Sequence, residues 1–359
     1  MTETHSRPPA HSSIMHGLSK DQYGAMTVAI TVLLAMVSTV VRADPFARFT
    51  AIEENDSLYF NSDKHYTQGL RLSFLGPDIR ADDSWNRPFD LLGSLTSVLP
   101  APPVLERSRR HVVFFGQSLF TPKDLTRRPP DPRDRPYGAW LYGGIGLLQE
   151  TNRQMLENAE LQFGIVGPGA FGKVVQNDWH QLIGKAEACW CDQIQTEPGI
   201  TLSYERKWRL AVIGDEAAGV DAIPEGGATV GNIFTYAETG VLLRIGRNLG
   251  LDYGPARIRP ALSGTDYVNA NNATGDFGYY LYAGTQGRAV GRNIFLDGNS
   301  FRSSPHVPKK TFVADLQAGV ALFWTSGFRL DFSVVRRTPE FKGQETPDVI
   351  GTAALSFAW

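Results

Sequence analysis

The sequence predicts an all-β fold: a transmembrane antiparallel β-barrel of about twelve strands, with a short helix in one extracellular loop. Three observations point there. Glycine is frequent (36 residues) and aromatics reach 11%, yet hydrophobic residues make up only 42% of the 359. Mean hydropathy is −0.21, too polar for a bundle of membrane helices but suited to a closed barrel with a polar interior. Several stretches also alternate apolar and polar residues with period two. In Thr311-Phe312-Val313-Ala314-Asp315-Leu316-Gln317 every second side chain can face lipid, and Phe328-Arg329-Leu330-Asp331-Phe332-Ser333 repeats the pattern. A soluble sandwich also alternates; the number of strands and the aromatic ending Phe357-Ala358-Trp359 favour the membrane barrel.

Residues 1–25 are polar, and 26–41 form an uncharged apolar run followed by Val41-Arg42-Ala43, small residues at positions −3 and −1 of a cleavage site before Asp44. The run is short of the ~20 residues of a helical span. Residues 1–43 therefore read as a signal peptide with a polar N-terminal extension, whose true start is Met15 or Met26 if the extension is not translated. Residues 44–359 read as the barrel domain. Strands are expected near 47–60, 65–75, 110–121, 138–150, 155–168, 198–206, 208–221, 231–246, 277–291, 309–325, 328–338 and 347–359. Residues 76–109 interrupt the pattern with an amphipathic run ending at Pro100, Pro102 and Pro103, a helical insert on the side where short turns belong. A plug and a membrane-surface helix are both open for it.

One segment among the strands reads as a helix: 172–184, bounded by glycines, with Val175, Trp179 and Leu182 at helical spacing. Gln176 and His180, four apart, fall on one face. The formal charge of −2 gives no basic excess for nucleic acid. Cys189 and Cys191 flank Trp190 and match no zinc spacing.

Strand parity then gathers polar residues. If the first strand runs outward, Asn55 and Asp56 end it at the outer rim, Thr67 opens the second strand there, and the loops holding Arg127 and His180 lie on the same side. Asn55, Asp56, Thr67, Arg127, Gln176 and His180 converge from four stretches. A histidine offers a base near neutral pH; an aspartate with amide and hydroxyl oxygens suits a hard cation such as calcium. A cation beside a base suits ester hydrolysis. Asn55 and Asp56 are adjacent, so a bulge or twist is needed for both to serve one site. Neither GxSxG nor HExxH occurs. His111 and His306 read as ordinary barrel or loop residues, and His65 as a bystander or substrate contact.

The residues Asn55-Asp56, Tyr66-Thr67-x-Gly69-Leu70, Gln117-x-x-Phe120-Thr121-Pro122, Gly164-x-Val166-Gly167-Pro168, Gln176-Asn177-x-x-His180-x-x-Ile183-Gly184 and Trp190-x-Asp192-Gln193-Ile194 resemble the outer-membrane lipid A 3′-O-deacylase family, in order from about 47 to the C-terminus. The resemblance implies a twelve-stranded barrel in the bacterial outer membrane that removes the 3′-acyloxyacyl group of lipid A in lipopolysaccharide, with calcium (Ca2+) as cofactor and a site between the wall and a loop helix. It implies His180 as general base, Asp56 as a calcium ligand, and Asn55, Thr67 and Gln176 as residues shaping the site. The family's active-site lysine falls on Arg127, and the acidic residue after the histidine falls on Ala186, with Glu187 next to it as a substitute; both are carried as substrate-binding candidates. The alternatives are an outer-membrane phospholipase using the same base and cation, and a non-catalytic structural or narrow-pore barrel.

Overall fold

A computed structural model describes residues 48–56, 64–99, 101, 104–215, 217–260, 267–268, 275–324 and 326–358. The expected leader 1–43, residues 57–60 of the first expected strand, and Trp359 lie outside them. The strands are β1 (Arg48–Asn55), β2 (His65–Leu75), β3 (Arg107–Thr121), β4 (Gly138–Thr151), β5 (Met155–Val166), β6 (Glu197–Trp208), β7 (Leu210–Gly214), β8 (Ala218–Gly231), β9 (Phe234–Arg247), β10 (Phe277–Asn293), β11 (Phe312–Trp324), β12 (Arg329–Arg337) and β13 (Asp348–Ala358). The helices are α1 (Asn86–Leu95), α2 (Gly172–Leu182) and the single turn α3 (Ile294–Asp297). No described helix is long and apolar enough to cross a membrane.

Every strand pairs antiparallel with its neighbours, and β1 pairs with β13. Thr201–Lys207 of β6 pairs with Glu225–Gly231 of β8, while β7 pairs with the first half of β8. Thus β6 and β7 are one strand, in the same register against β8 from Lys207–Glu225 to Leu210–Ala222, and twelve strands close into a barrel. This corrects the expected turn near residue 207: β7 runs on to Gly214, β8 begins at Ala218, and 222–230 is strand. The reason is local. The N–H of Arg209 donates to Gln154 O at 2.7 Å, one step beyond the Met155–Trp208 pair of β5 and β6, and its guanidinium donates to Asp252 O at 2.7 Å. Pro224, which has no N–H to give the ladder, and Gly226-Gly227 make this part of β8 read as a turn.

Alternation sorts the side chains as the barrel requires. Ile145, Leu161, Phe163, Leu202, Leu243 and Leu281 are exposed on the outside, where lipid lies. Arg71, Glu160, Arg244, Asp315, Arg329 and Arg337 are buried inside. At the rim where β1 starts and β13 ends (the terminal rim), aromatic rings line the outside: Phe49 lies 5.1 Å from Phe74 and 5.3 Å from Phe357, and Trp324 lies 5.2 Å from Phe277. Such a girdle marks a membrane–water interface.

Long connections leave both rims, 76–106 and 248–276 the terminal one and 167–196 the opposite one, so loop length does not mark the rim of the candidate site. The connection 248–276 turns into the barrel. Arg257 Nε donates to Glu54 Oε1 at 2.6 Å, and Arg259 Nη2 to Glu205 Oε2 at 2.5 Å. Asp252 binds both Arg244 and Arg329. The lumen is therefore filled by ion pairs that satisfy one another, as buried charge requires.

Candidate active site

The opposite rim, called distal, carries the expected site. Rows of paired residues locate it. Asn55 of β1 pairs with Gln68, Gln68 with Leu119, and Leu119 with Ala139. This row runs across the outer wall, and its far end is covered. Leu119, Tyr137, Ala139, Ala170, Ala188, Cys189 and Trp190 form a buried apolar cluster. The chain leaves β5 through the 3-10 turn Gly167–Ala170, whose last carbonyl accepts from Gln117 Nε2 at 2.6 Å. Helix α2 then begins over Ala139: a Cβ on Gly172 would lie 2.7 Å from the Ala139 methyl and would run into the Trp190 ring. Only glycine permits that approach.

Helix α2 inverts the face that its spacing suggests. Gly172, Gln176 and His180 form the buried stripe, whereas Trp179 and Leu182 are 52% and 77% exposed. Val175 packs against the apolar cluster, while Trp179 and Leu182 face outward from a helix that sits on the outside of the barrel wall. Gln176 Oε1 accepts from the Trp190 indole at 2.7 Å. Asn177 clamps Ala188 from both sides, its Oδ1 accepting from Ala188 N at 2.9 Å and its Nδ2 donating to Ala188 O at 3.2 Å.

The histidine's setting follows from how the helix ends. Gly184 takes φ +71°, and Lys185 N donates to His180 O at 2.8 Å, a left-handed glycine stop that doubles the chain back. The return brings Ala186 O to 2.6 Å from His180 Nδ1. A carbonyl oxygen only accepts, so Nδ1 carries the hydrogen and Nε2 is the proton acceptor of the neutral ring. The acid expected near this position is thus replaced in contact by a backbone carbonyl, while the Glu187 side chain is exposed.

The remaining candidates divide. Thr67 is the extra residue of a bulge, between Tyr66 opposite Phe120 and Gln68 opposite Leu119, and its hydroxyl meets Thr121 Oγ1 at 2.6 Å. The bulge expected in β1 is therefore in β2. β1 stays regular through Asn55, whose amide hydrogen-bonds the Glu53 side chain, as does Gln68. Asp56 follows the strand, is 1% exposed, and its Oδ2 accepts from Lys64 N at 2.5 Å. Arg127 is half exposed and pairs with Asp131 at 2.9 Å, two residues beyond Leu125, whose carbonyl accepts from Tyr137 and from Cys189 N. Hydrogen bonds from Arg133, then from its N–H, hold the Asp131 carboxyl well below the usual carboxylate range. Burial pushes the Asp134 carboxyl up, but bonds from His65 and Lys123 N–H outweigh it and leave it lowered. His65 is buried with Nδ1 2.7 Å from Asp348. His111 stacks on Trp85 and His306 is exposed. Cys189 and Cys191 are joined in a disulfide beside Trp190.

The topology thus brings Asn55, Asp56, Thr67, Gln176 and His180 to one rim, with α2 lying on the outer wall over β3 and β4. The Ala186 carbonyl, Asn177 and Gln68 join them without having been singled out by residue type. Asn177 and Gln68 do stand inside the blocks that carry the family resemblance. Among the described residues no cluster of three or more His, Cys, Asp or Glu suits a metal ion.

Comparison with known proteins supports this architecture. A chain described as LpxR from Salmonella typhimurium has the same fold, with a TM-score of 0.67 at 20% identity, covering 87% of this chain and 100% of that one. The β domain of the Bordetella autotransporter BrkA (11% identity, 88% and 98% covered) and the NalP translocator domain of Neisseria meningitidis (9%, 94% and 98% covered) align at TM-scores of only 0.41 and 0.39. No curated protein sequence matches the chain. The model of the family described as outer membrane protein LpxR matches residues 26–359. The chain belongs to that family of outer-membrane proteins.

Proposed function

We propose that this protein is a calcium-dependent ester hydrolase that removes the 3′-acyloxyacyl group of lipid A from lipopolysaccharide in the outer leaflet, with His180 activating water. The observation that carries the reading is the Ala186 O···His180 Nδ1 contact of 2.6 Å. It holds the imidazole in the tautomer whose Nε2 accepts a proton, the arrangement a general base needs.

In this reading Gln176, Asn55 and Thr67 line the crevice between α2 and the wall and orient the ester. Arg127 and Glu187, at its mouth, meet the phosphorylated sugar headgroup. Water attacks the ester carbonyl as His180 takes its proton, then returns that proton to the leaving sugar oxygen. The outward Trp179 and Leu182 support a site at the level of lipid, with the distal rim toward the exterior.

Asp56 is the carboxylate available to a cation. A single buried carboxylate does not suit a transition metal, but it fits calcium, which completes its shell with carbonyl, amide and water oxygens. When bound, calcium supplies positive charge against the negative charge that develops on the ester oxygen. The filled lumen speaks against a pore. The purified barrel, given lipid A in one arm and glycerophospholipid in the other, with calcium or a chelator, tests the reading. Release of an acyloxyacyl chain from lipid A only, and only with calcium, is expected. Fatty acid from phospholipid alone would transfer the chemistry to a phospholipase.

A further inference from the structure

The insert between β2 and β3 takes no part in the site above, yet it covers a specific feature. Arg109, Gln149, Glu157 and Arg206 pair in register across β3, β4, β5 and β6. Their parity puts them on the outside of the barrel, four residues along their strands from the lipid-facing Ile145, Leu161 and Leu202. They form a continuous chain: Arg109 Nε donates to Gln149 at 2.8 Å, Gln149 Nε2 to Glu157 at 2.8 Å, and Arg206 Nη2 to Glu157 at 2.8 Å. A charged row on the lipid side of a barrel is costly unless something shields it.

Helix α1 shields it. Arg109 also donates to Asn86 Oδ1 at 2.9 Å and to Asp90 Oδ1 at 2.8 Å, and its guanidinium lies 5.2 Å from the Phe89 ring centre. Thr96 Oγ1 donates to Glu157 at 3.4 Å, and Trp85 stacks on His111 at 5.3 Å. The other side of the segment is apolar and uncovered: Leu91, Leu95 and Val98, spaced as one helical stripe, are 63%, 70% and 86% exposed. In water such a stripe is a liability. Here it continues the lipid-facing surface of the same strands and lies on the side of the aromatic-lined terminal rim.

We propose that α1 is an interfacial helix that lies in the leaflet at the terminal rim, with Leu91, Leu95 and Val98 in the boundary between headgroups and acyl chains. Its polar side seals the Arg109–Arg206 row from lipid. The occupant of the apolar stripe is the lipid itself.

The test uses the full barrel reconstituted in phosphatidylethanolamine–phosphatidylglycerol vesicles. Leu91→Cys, Leu95→Cys and Val98→Cys each carry an environment-sensitive fluorophore, and Glu345→Cys in the exposed distal loop is the control. Quenching by shallow doxyl-labelled lipid should be at least twofold stronger at the three stripe positions than at the control, and quenching by aqueous acrylamide correspondingly weaker. Any two of the three decide the matter if one variant fails to show the heat-modifiable migration of a folded barrel. Acrylamide quenching equal to the control would overturn the proposal. So would shielding from both quenchers with energy transfer between labels that rises with protein-to-lipid ratio, since a second copy would then cover the stripe.

Discussion

His180 becomes a defined chemical group through a backbone oxygen. The glycine stop at Gly184 returns the chain so that Ala186 O meets Nδ1, and Asn177 holds the returning strand through both atoms of its amide. Replacing His180 by Ala or Gln should lower turnover about 10²–10⁴-fold while the barrel still folds, the ordinary worth of a positioned base. Asn177→Leu removes both bonds to Ala188 but leaves the imidazole in place. Turnover should fall about 10–100-fold, as for partners that orient a reacting group, with KM changing far less. Steady-state rates on lipid A separate the two effects; equal losses in kcat for Asn177→Leu and His180→Ala would mean that the amide does more than position. The histidine was legible in the sequence because its residue type and helical spacing to Gln176 stand out. Its orienting group was not, because a carbonyl belongs to every residue and only the fold selects which one is used.

At the scale of elements, α2 shows what periodicity can and cannot say. Val175, Trp179 and Leu182 mark a helix, and the helix is there. The same spacing implies a buried stripe in water; here Val175 packs inward and Trp179 and Leu182 face out. α1 does the same, with Leu91 and Leu95 outward. Strand number and direction were legible; the bounds failed between β6 and β8 because Pro224 and Gly226-Gly227 read as a turn while the ladder continues past them. Asn55 and Asp56 show a finer limit. The bulge needed near them occurs at Thr67 on the neighbouring strand, and a bulge has no marker in residue type here. The close seat of α2 gives a direct test: Gly172→Val inserts an isopropyl group against Ala139 and Trp190. The added Cβ alone already overlaps both, and overpacking of this kind costs about 1–3 kcal/mol, here borne by the helix seat. Activity should be lost while heat-modifiable migration of the barrel persists; retained activity would show that the α2–wall contact does not shape the site.

For the whole molecule, the lumen is the structural core. Arg257, fully buried between Glu54 and Gln317, ties the inward segment 248–260 to β1 and β11. Arg257→Ala leaves Glu54 buried without its partner, and breaking such a pair costs about 3–5 kcal/mol. Urea titration of the folded band should show the midpoint moving down by a corresponding amount. The intact protein in planar bilayers should show no steady conductance, since side chains occupy the channel; open-pore currents indifferent to His180 would favour the alternative of a pore. The inward segment was not legible: 248–276 reads as a long loop, and only the closed barrel supplies the acidic partners that draw Arg257 and Arg259 inside. Chelation of calcium should abolish hydrolysis without unfolding the barrel, because Glu54, Asp252 and Asp315 hold the arginines of the lumen through ion pairs of their own.

The most direct measurement is mass spectrometry of lipid A from cells expressing the protein, beside cells with an equal amount of folded His180→Ala. The account predicts a species lighter by the 3′-acyloxyacyl group with the parent protein and its absence with the variant. Identical lipid A in both, with the barrel folded in the outer membrane and calcium supplied, would contradict it.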